Sequence, residues 1–283
     1  KTVAGETEPE PTDPIEELKS TDRYVVYDSP SDLFADRDPR LEGTILVPGS
    51  SFRNQELQLW AGLAIKHSET SWEFKHIAEM EDLTSADESK YLYDGRQITG
   101  ADGPHISFRS PNPEQVTGTG FLLRKYVDSK AGSEMMGQSD LAFCRFRYAE
   151  VLLNAADAVN EVRRRAGIRE IEPDEITGYE TFLRERTAEF AFEGLRFYDL
   201  KRFRIADKLF DGQADTETAL IYGLWPYKVY APGDPDDGKW IFRRIHNTKR
   251  KFPLWFQTKN YYASIDQSVL NNNPLLVKNP YQE

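Results

Sequence analysis

A single cysteine, Cys144, stands in 283 residues, which excludes an internal disulfide and a cysteine-rich metal site. Its apolar, helix-like surroundings make a buried small side chain its expected role. Histidine is scarce too. Of His67, His76, His105 and His246, none lies at i, i+4 from another or beside a motif serine, so neither a zinc site nor a Ser-His-Asp triad is supported. There is no Walker loop, no GxSxG and no dinucleotide fingerprint, and Gly95, Gly100 and Gly103 are too widely spaced to cradle a phosphate. No run of about eighteen apolar residues reads as a membrane-spanning helix. No signal peptide opens the chain, which passes from KTVAG straight into acidic, proline-spaced sequence. Positive charge is in deficit: 36 basic against 47 acidic side chains give a net charge of −11, with no basic stripe to offset it. That argues against a nucleic-acid backbone as partner.

What is present suffices for a substantial core, with 39% hydrophobic and 12% aromatic residues. The most patterned stretch is 184–203, RERTAEFAFEGLRFYDLKRF. Good helix formers surround an apolar stripe of Phe182, Phe190, Ala191 and Leu195, Glu193-Gly194 offers a left-handed stop, and Phe197, Leu200 and Phe203 resume on one side. Two short helices meeting at a glycine are expected. Tyr148, Leu152, Ala155, Val159, Val162 and Ala166 follow helical spacing as well, with Gly167 closing that helix. Residues 6–14 read as an acidic linker, and 15–19 as a short helix. Strands are expected at 44–47, 57–60, 71–74 and 122–127, on long loops that include a charged run at 79–90 and a polar one at 94–113. Beyond Phe210 the aromatic-rich, proline-divided sequence reads as irregular, with Trp225, Trp240 and Trp255 packing that layer.

Several of these segments are similar to one family. The run ERTAEFAFEGLRFYDLKRF (185–203) resembles the C-terminal helical signature of the SusD/RagB family, surface nutrient-binding lipoproteins of Bacteroidetes. LFADRDPRLEGTIL (33–46), GTGFLLRKYVD (118–128), RFRYAEVLLNAADA (145–158), VNEVRRRAGI (159–168) and the tail NNNPLLVKNPYQE (271–283) resemble further family segments in the same order. The resemblance implies an all-α, SusD-like fold of helix pairs packed like tetratricopeptide repeats, with a large irregular, loop-rich, partly β portion. No strict 34-residue repeat is visible. Residues 1–283 are then the C-terminal portion of one such domain, with the signal, the lipid-attachment cysteine and the N-terminal helices outside this chain. The family places a turn and more helix between its two central segments, whereas here Ala158 abuts Val159. Omission of intervening residues is the favoured account, with one long helix as the alternative.

By the same resemblance the chain is a non-catalytic, lipid-anchored receptor at the outer-membrane surface. It would capture an oligosaccharide and pass it to a SusC-like TonB-dependent transporter, over which it sits like a lid. Two alternatives stay open: a peptide-binding, RagB-type receptor and a glycoside hydrolase, the latter needing two carboxylates flanking a cleft with one raised pKa. A sugar site needs a flat aromatic to stack on and polar groups beside it. Tyr91, Tyr93, Asp94 and Arg96 supply that mixture within six residues, and Trp60 and Trp72 lie in the same irregular region. Core packing is the competing role for both tryptophans, the stronger one for Trp60 beside Leu57, Leu59 and Leu63. No cofactor is expected. The run Asp234-Pro235-Asp236-Asp237-Gly238 has the oxygen density of a calcium loop without EF-hand spacing, and a solvated acidic turn is its simpler role. The charged residues of 185–202 are expected to be structural, as exposed helix-surface ion pairs.

Overall fold

The computed structural model describes residues 24–77, 82, 85–104, 117–133, 135–154, 158–176, 178–246 and 252–282. The expected linker at 6–14, the short helix at 15–19 and His105 lie outside them, as do parts of the 79–90 and 94–113 loops. Ten strands are formed among the described residues: β1 Ile45–Leu46, β2 Ser51–Phe52, β3 Gln55–Glu56, β4 Gly62–Ser68, β5 Ser71–His76, β6 Leu92–Tyr93, β7 Arg96–Gln97, β8 Leu122–Leu123, β9 Tyr222–Tyr230 and β10 Trp240–His246. Seven α-helices accompany them: α1 Arg40–Thr44, α2 Tyr148–Leu152, α3 Val159–Arg165, α4 Tyr179–Glu189, α5 Arg196–Arg202, α6 Ala206–Leu209 and α7 Gln267–Asn272.

The all-α expectation is therefore corrected. The largest unit is a four-stranded mixed sheet in the order β10-β9-β4-β5, antiparallel except where β4 runs parallel to β9. The aromatic stretch read as irregular supplies two of its four strands, including the longest, β9. Pro226 does not interrupt β9: it sits opposite Phe242, and its carbonyl accepts the Ala61 N–H at 2.7 Å. The alternation of β9 explains why these residues extend. Trp225, Tyr227 and Val229 point to one face and are buried with Ala64, Ile241 and Ile245, each large apolar side chain contributing roughly 1.5–3 kcal/mol over its exposed state. Trp225 thus packs a sheet core, while Trp255 forms a bridge to Asp211. The expected strand at 57–60 is not formed: these residues belong to no sheet.

The helices are short. α4 and α5 are the expected pair, separated by left-handed residues at both Phe192 (φ 63°) and Gly194 (φ 78°). The central helical run forms α2 and α3 rather than one long helix, and Ala149 and Leu153, not Tyr148, face its core with Val159, Val162 and Phe190. Cys144 is exposed, contrary to the buried role expected of it.

The charged residues of α4 were expected to be solvated, but Glu185, Arg186 and Glu189 are buried, each 3% exposed. Their partners come from afar. Arg40 Nη1 donates to Glu185 Oε1 at 2.6 Å and to Glu189 Oε2 at 3.2 Å. Arg163 donates to Glu185 at 2.7 Å, Arg165 to Glu189 at 2.6 Å, and Arg147 to both Glu189 and Glu193. Lys125 Nζ adds Glu193 at 2.5 Å and the Ala191 carbonyl at 3.0 Å, while Arg186 Nε meets Asp199 on α5 at 2.9 Å. Burial disfavours the charged form of Glu189, but hydrogen bonds from Arg147 and Arg40 outweigh it, and its carboxyl is held below the usual range. Glu193 follows the same pattern, with Arg147 and Lys125 overcoming its burial. The network ties α1, the β8 arm, α2 and α3 to α4.

Candidate ligand-binding surface

The local sequence Tyr91-Leu92-Tyr93-Asp94-Gly95-Arg96 folds as the β6–β7 hairpin. Asp94 (φ 49°) and Gly95 (φ 74°) form its two-residue turn, the left-handed pair that an Asp-Gly hairpin favours because its twist matches that of the flanking strands. The turn brings Tyr93, Asp94 and Arg96 against the far end of the main sheet. Tyr93 meets Tyr230 edge-to-face, ring centroids 5.1 Å apart, and the Lys75 ammonium lies 4.9 Å over the Tyr93 ring. The Tyr230 hydroxyl donates to the Asp94 carboxylate. Arg96 lies 4.9 Å over the Tyr230 ring and donates both terminal nitrogens to Asp237, at 2.8 and 2.7 Å. Two contacts spanning more than 130 residues of chain thus latch the hairpin to the β9–β10 connection.

Electrostatics match this geometry. The Asp94 hydrogen bond raises the Tyr230 hydroxyl above its ordinary value. The Arg96 fork lowers the Asp237 carboxyl, and the Lys66 hydrogen bond lowers that of Asp236. The acidic turn at 234–238 is not an open oxygen cage: Lys66 Nζ sits 2.7 Å from Asp236, 3.2 Å from Asp234 and 2.7 Å from Glu69. Among the described residues, no group of three or more His, Cys, Asp or Glu side chains could hold a metal ion.

The other sequence-chosen residues fall elsewhere. Tyr91 is half-buried beneath the hairpin, packing on Leu63, Ile77 and Ile98. Trp60 is 8% exposed, with the Lys228 ammonium 3.6 Å over its ring and Trp240 edge-on at 6.4 Å. Trp72 is one strand position class away from Lys75, so it projects from the opposite face of β5; there it packs edge-on against Tyr24 at 5.9 Å, on the Trp225–Tyr227 core. The structure therefore gathers Tyr93, Asp94 and Arg96, and separates Trp72 from them by the thickness of the sheet. Sequence reasoning missed Tyr230, Asp237 and Lys75 as members of this surface. The Asp-Gly hairpin was a usable signal for the turn, but nothing local marks partners more than 130 residues away.

A family model described as the SusD family matches residues 7–281. The chain belongs to the SusD family. Among solved structures, a SusD-like protein from Bacteroides fragilis NCTC 9343 is 19% identical, covering 95% of this chain and 46% of that one, with a TM-score of 0.50; the two share a fold. A SusD-like carbohydrate binding protein from the same organism is 25% identical over 93% of this chain and 46% of that one, with a TM-score of 0.45. This SusD-family chain spans about half the length of the solved structures it matches. None of the curated proteins matches it. No helix among the described residues is long and apolar enough to cross a membrane.

Proposed function

We propose that the chain is a binding protein, not an enzyme, which captures an oligosaccharide on the surface formed by Tyr93, Asp94, Arg96 and Tyr230. The observation that carries this reading is the Tyr93–Tyr230 pair, two half-buried rings at 5.1 Å set among a carboxylate and a guanidinium. Sugar rings offer apolar C–H faces and equatorial hydroxyls, and an aromatic edged by charged hydrogen-bonding groups answers both. Membership of the SusD family supports the same reading. By the family resemblance, delivery is to a SusC-like TonB-dependent transporter at the outer face of the outer membrane, with attachment through an N-terminal lipid. A hydrolase is disfavoured at this surface because Asp236 and Asp237 are both held below the usual carboxylate range, the reverse of what a glycosidic general acid needs.

Isothermal titration against a panel of soluble glycans tests the proposal. A glycan should bind the wild type, and Tyr93→Ala should weaken it about tenfold to hundredfold, the cost of losing a central aromatic anchor. Unchanged affinity in Tyr93→Ala and Tyr230→Ala would remove the site from this surface, and binding of peptides alone would replace the saccharide with a RagB-type ligand.

A further inference from the structure

A second cleft, at the end of the chain, is built from a different set of residues. The tail is strapped across 263–265 by side-chain amides that imitate backbone pairing. Gln282 accepts the Ile265 N–H at 2.9 Å and donates to the Ile265 carbonyl at 2.5 Å, while Asn279 donates to the Ala263 carbonyl at 2.5 Å. This closure leaves a cleft of about 540 Å³ between the tail and the segment following β10, lined by Tyr262, Tyr281, Asn260, Ser264, Gln267 and Lys259. That volume lies within the ~300–1,000 Å³ of small-molecule sites.

Its walls combine aromatic faces with uncommitted polar groups. Tyr262 and Tyr281 stand 6.1 Å apart, tilted by 49°. Tyr262 is fixed from behind: Arg204 lies 4.9 Å over its ring and donates to its hydroxyl at 3.1 Å. Arg204 (φ 55°) and Tyr281 (φ 63°) both adopt left-handed backbone conformations, which bulky side chains seldom occupy. Tyr281 nonetheless remains 51% exposed. Gln267 is engaged with Asn271. Among the described residues, the Asn260 amide, the Ser264 hydroxyl and the Tyr281 hydroxyl are not consumed by any internal hydrogen bond. Neutral donors and acceptors therefore outnumber the single cation, Lys259.

We propose that this cleft is a second, separate saccharide site, taking a neutral oligosaccharide whose ring stacks on Tyr281 and whose hydroxyls pair with Asn260 and Ser264. The chemistry follows from the lining: tilted tyrosines accept an apolar ring face, and amides and hydroxyls match uncharged hydroxyl groups without the desolvation cost of meeting a charge. The assignment is independent of the Tyr93 surface.

The test is saturation-transfer NMR together with isothermal titration, using neutral α- and β-linked gluco-, manno-, xylo- and galacto-oligosaccharides, with uronic-acid oligosaccharides as charged controls. It compares the wild type, Tyr281→Ala, Asn260→Ala and Tyr93→Ala. Tyr281 and Asn260 are exposed, so these variants should fold as the wild type does. Expected is a binding event that Tyr93→Ala leaves intact and that Tyr281→Ala weakens about tenfold or more, with Asn260→Ala weakening the same event. A neutral oligosaccharide whose binding is lost in Tyr93→Ala and untouched in Tyr281→Ala would overturn the second site while sustaining the first. No binding by any of the probes would overturn it as well, and binding only of uronic-acid oligosaccharides would overturn its neutral-ligand assignment.

Discussion

Arg40 and Glu185 are 145 residues apart in the chain and 2.6 Å apart in the fold. The same guanidinium reaches Glu189, which also holds Arg147 and Arg165, so one turn of α4 gathers cations from three distant segments. A buried carboxylate is tolerable only while those partners remain; removing one charge strands the others. Glu189→Gln should cost about 3–5 kcal/mol, the usual penalty for breaking a buried pair. In a chain of this size that is a fall in Tm on the order of 10 °C. Arg164→Ala, at a solvated pair with Glu170, should leave the Tm unchanged. Equal small shifts in both variants, read by calorimetry, would show that the network adds nothing beyond surface pairing.

Acid should attack the same cluster. The folded-state carboxyls of Glu189 and Glu193 lie below their ordinary value of 4.5, so as the pH falls the unfolded chain takes up protons before the folded one does. Their contribution is fully present above about pH 4.5 and is lost as pH drops through the lower folded values. Urea midpoints between pH 7 and pH 3 should hold nearly level to about pH 5 and then decline. The decline should be shallower in Glu189→Gln, which has one such carboxyl fewer. An identical slope in both proteins would place acid sensitivity outside this network.

The helix pair at 184–203 was legible because its signals are local: helix formers, an apolar stripe and Gly194. The charge burial was not, because a buried glutamate such as Glu189 and a solvated one look the same in sequence until Arg40, Arg147 and Arg165 are known to converge on it. The main sheet was misread for a related reason. Prolines at 226, 232, 235 and 253 suggested irregular chain, yet only Pro226 lies inside a strand, and there its carbonyl still serves the sheet. The period-two burial of Trp225, Tyr227 and Val229 was present in the sequence and outweighed the proline. At the candidate surface, Tyr93, Asp94 and Arg96 could be chosen because they are neighbours in sequence. Tyr230 and Asp237 become neighbours only through the parallel pairing of β4 with β9.

Burial and strand alternation separate the roles of three aromatics. Trp60→Ala should cost about 3–5 kcal/mol, as for other large-to-small changes at buried aromatics, because its ring is 8% exposed and packed by Lys228 and Trp240. Trp72→Ala should lower stability by less, since its ring is only half-buried against Tyr24, and should leave glycan affinity at the wild-type value because it faces away from Tyr93. Tyr93→Ala, also half-buried, should lower stability about as modestly as Trp72→Ala but, unlike it, should weaken glycan affinity. Paired titration and melting curves on the three variants check the pattern. Loss of glycan binding in Trp72→Ala, with the fold intact by circular dichroism, would put the ligand on the other face of the sheet.

Calcium should leave the wild-type protein unmoved at the acidic turn. A dication there would have to displace the Lys66 ammonium from Asp234, Asp236 and Glu69, and both oxygens of Asp237 are already taken by the Arg96 fork. The hydrogen bonds to Asp236 and Glu69 raise the Lys66 pKa despite the opposing desolvation, so the ammonium stays charged at any pH where calcium would bind. A site with a Kd near 10 μM would raise stability by about 2.7 kcal/mol at 1 mM calcium, a shift readily seen in a melting curve. The expected shift is none, with chelator or with added calcium. Lys66→Met changes the balance, because Asp234, Asp236 and Glu69 then lose their shared ammonium, with Lys239, 3.4 Å from Asp236, left as the nearby cation. This variant should melt below the wild type, and calcium should restore part of the loss. A calcium-dependent rise in the wild type itself would mean that the cation outcompetes Lys66, and that the turn is a metal loop after all.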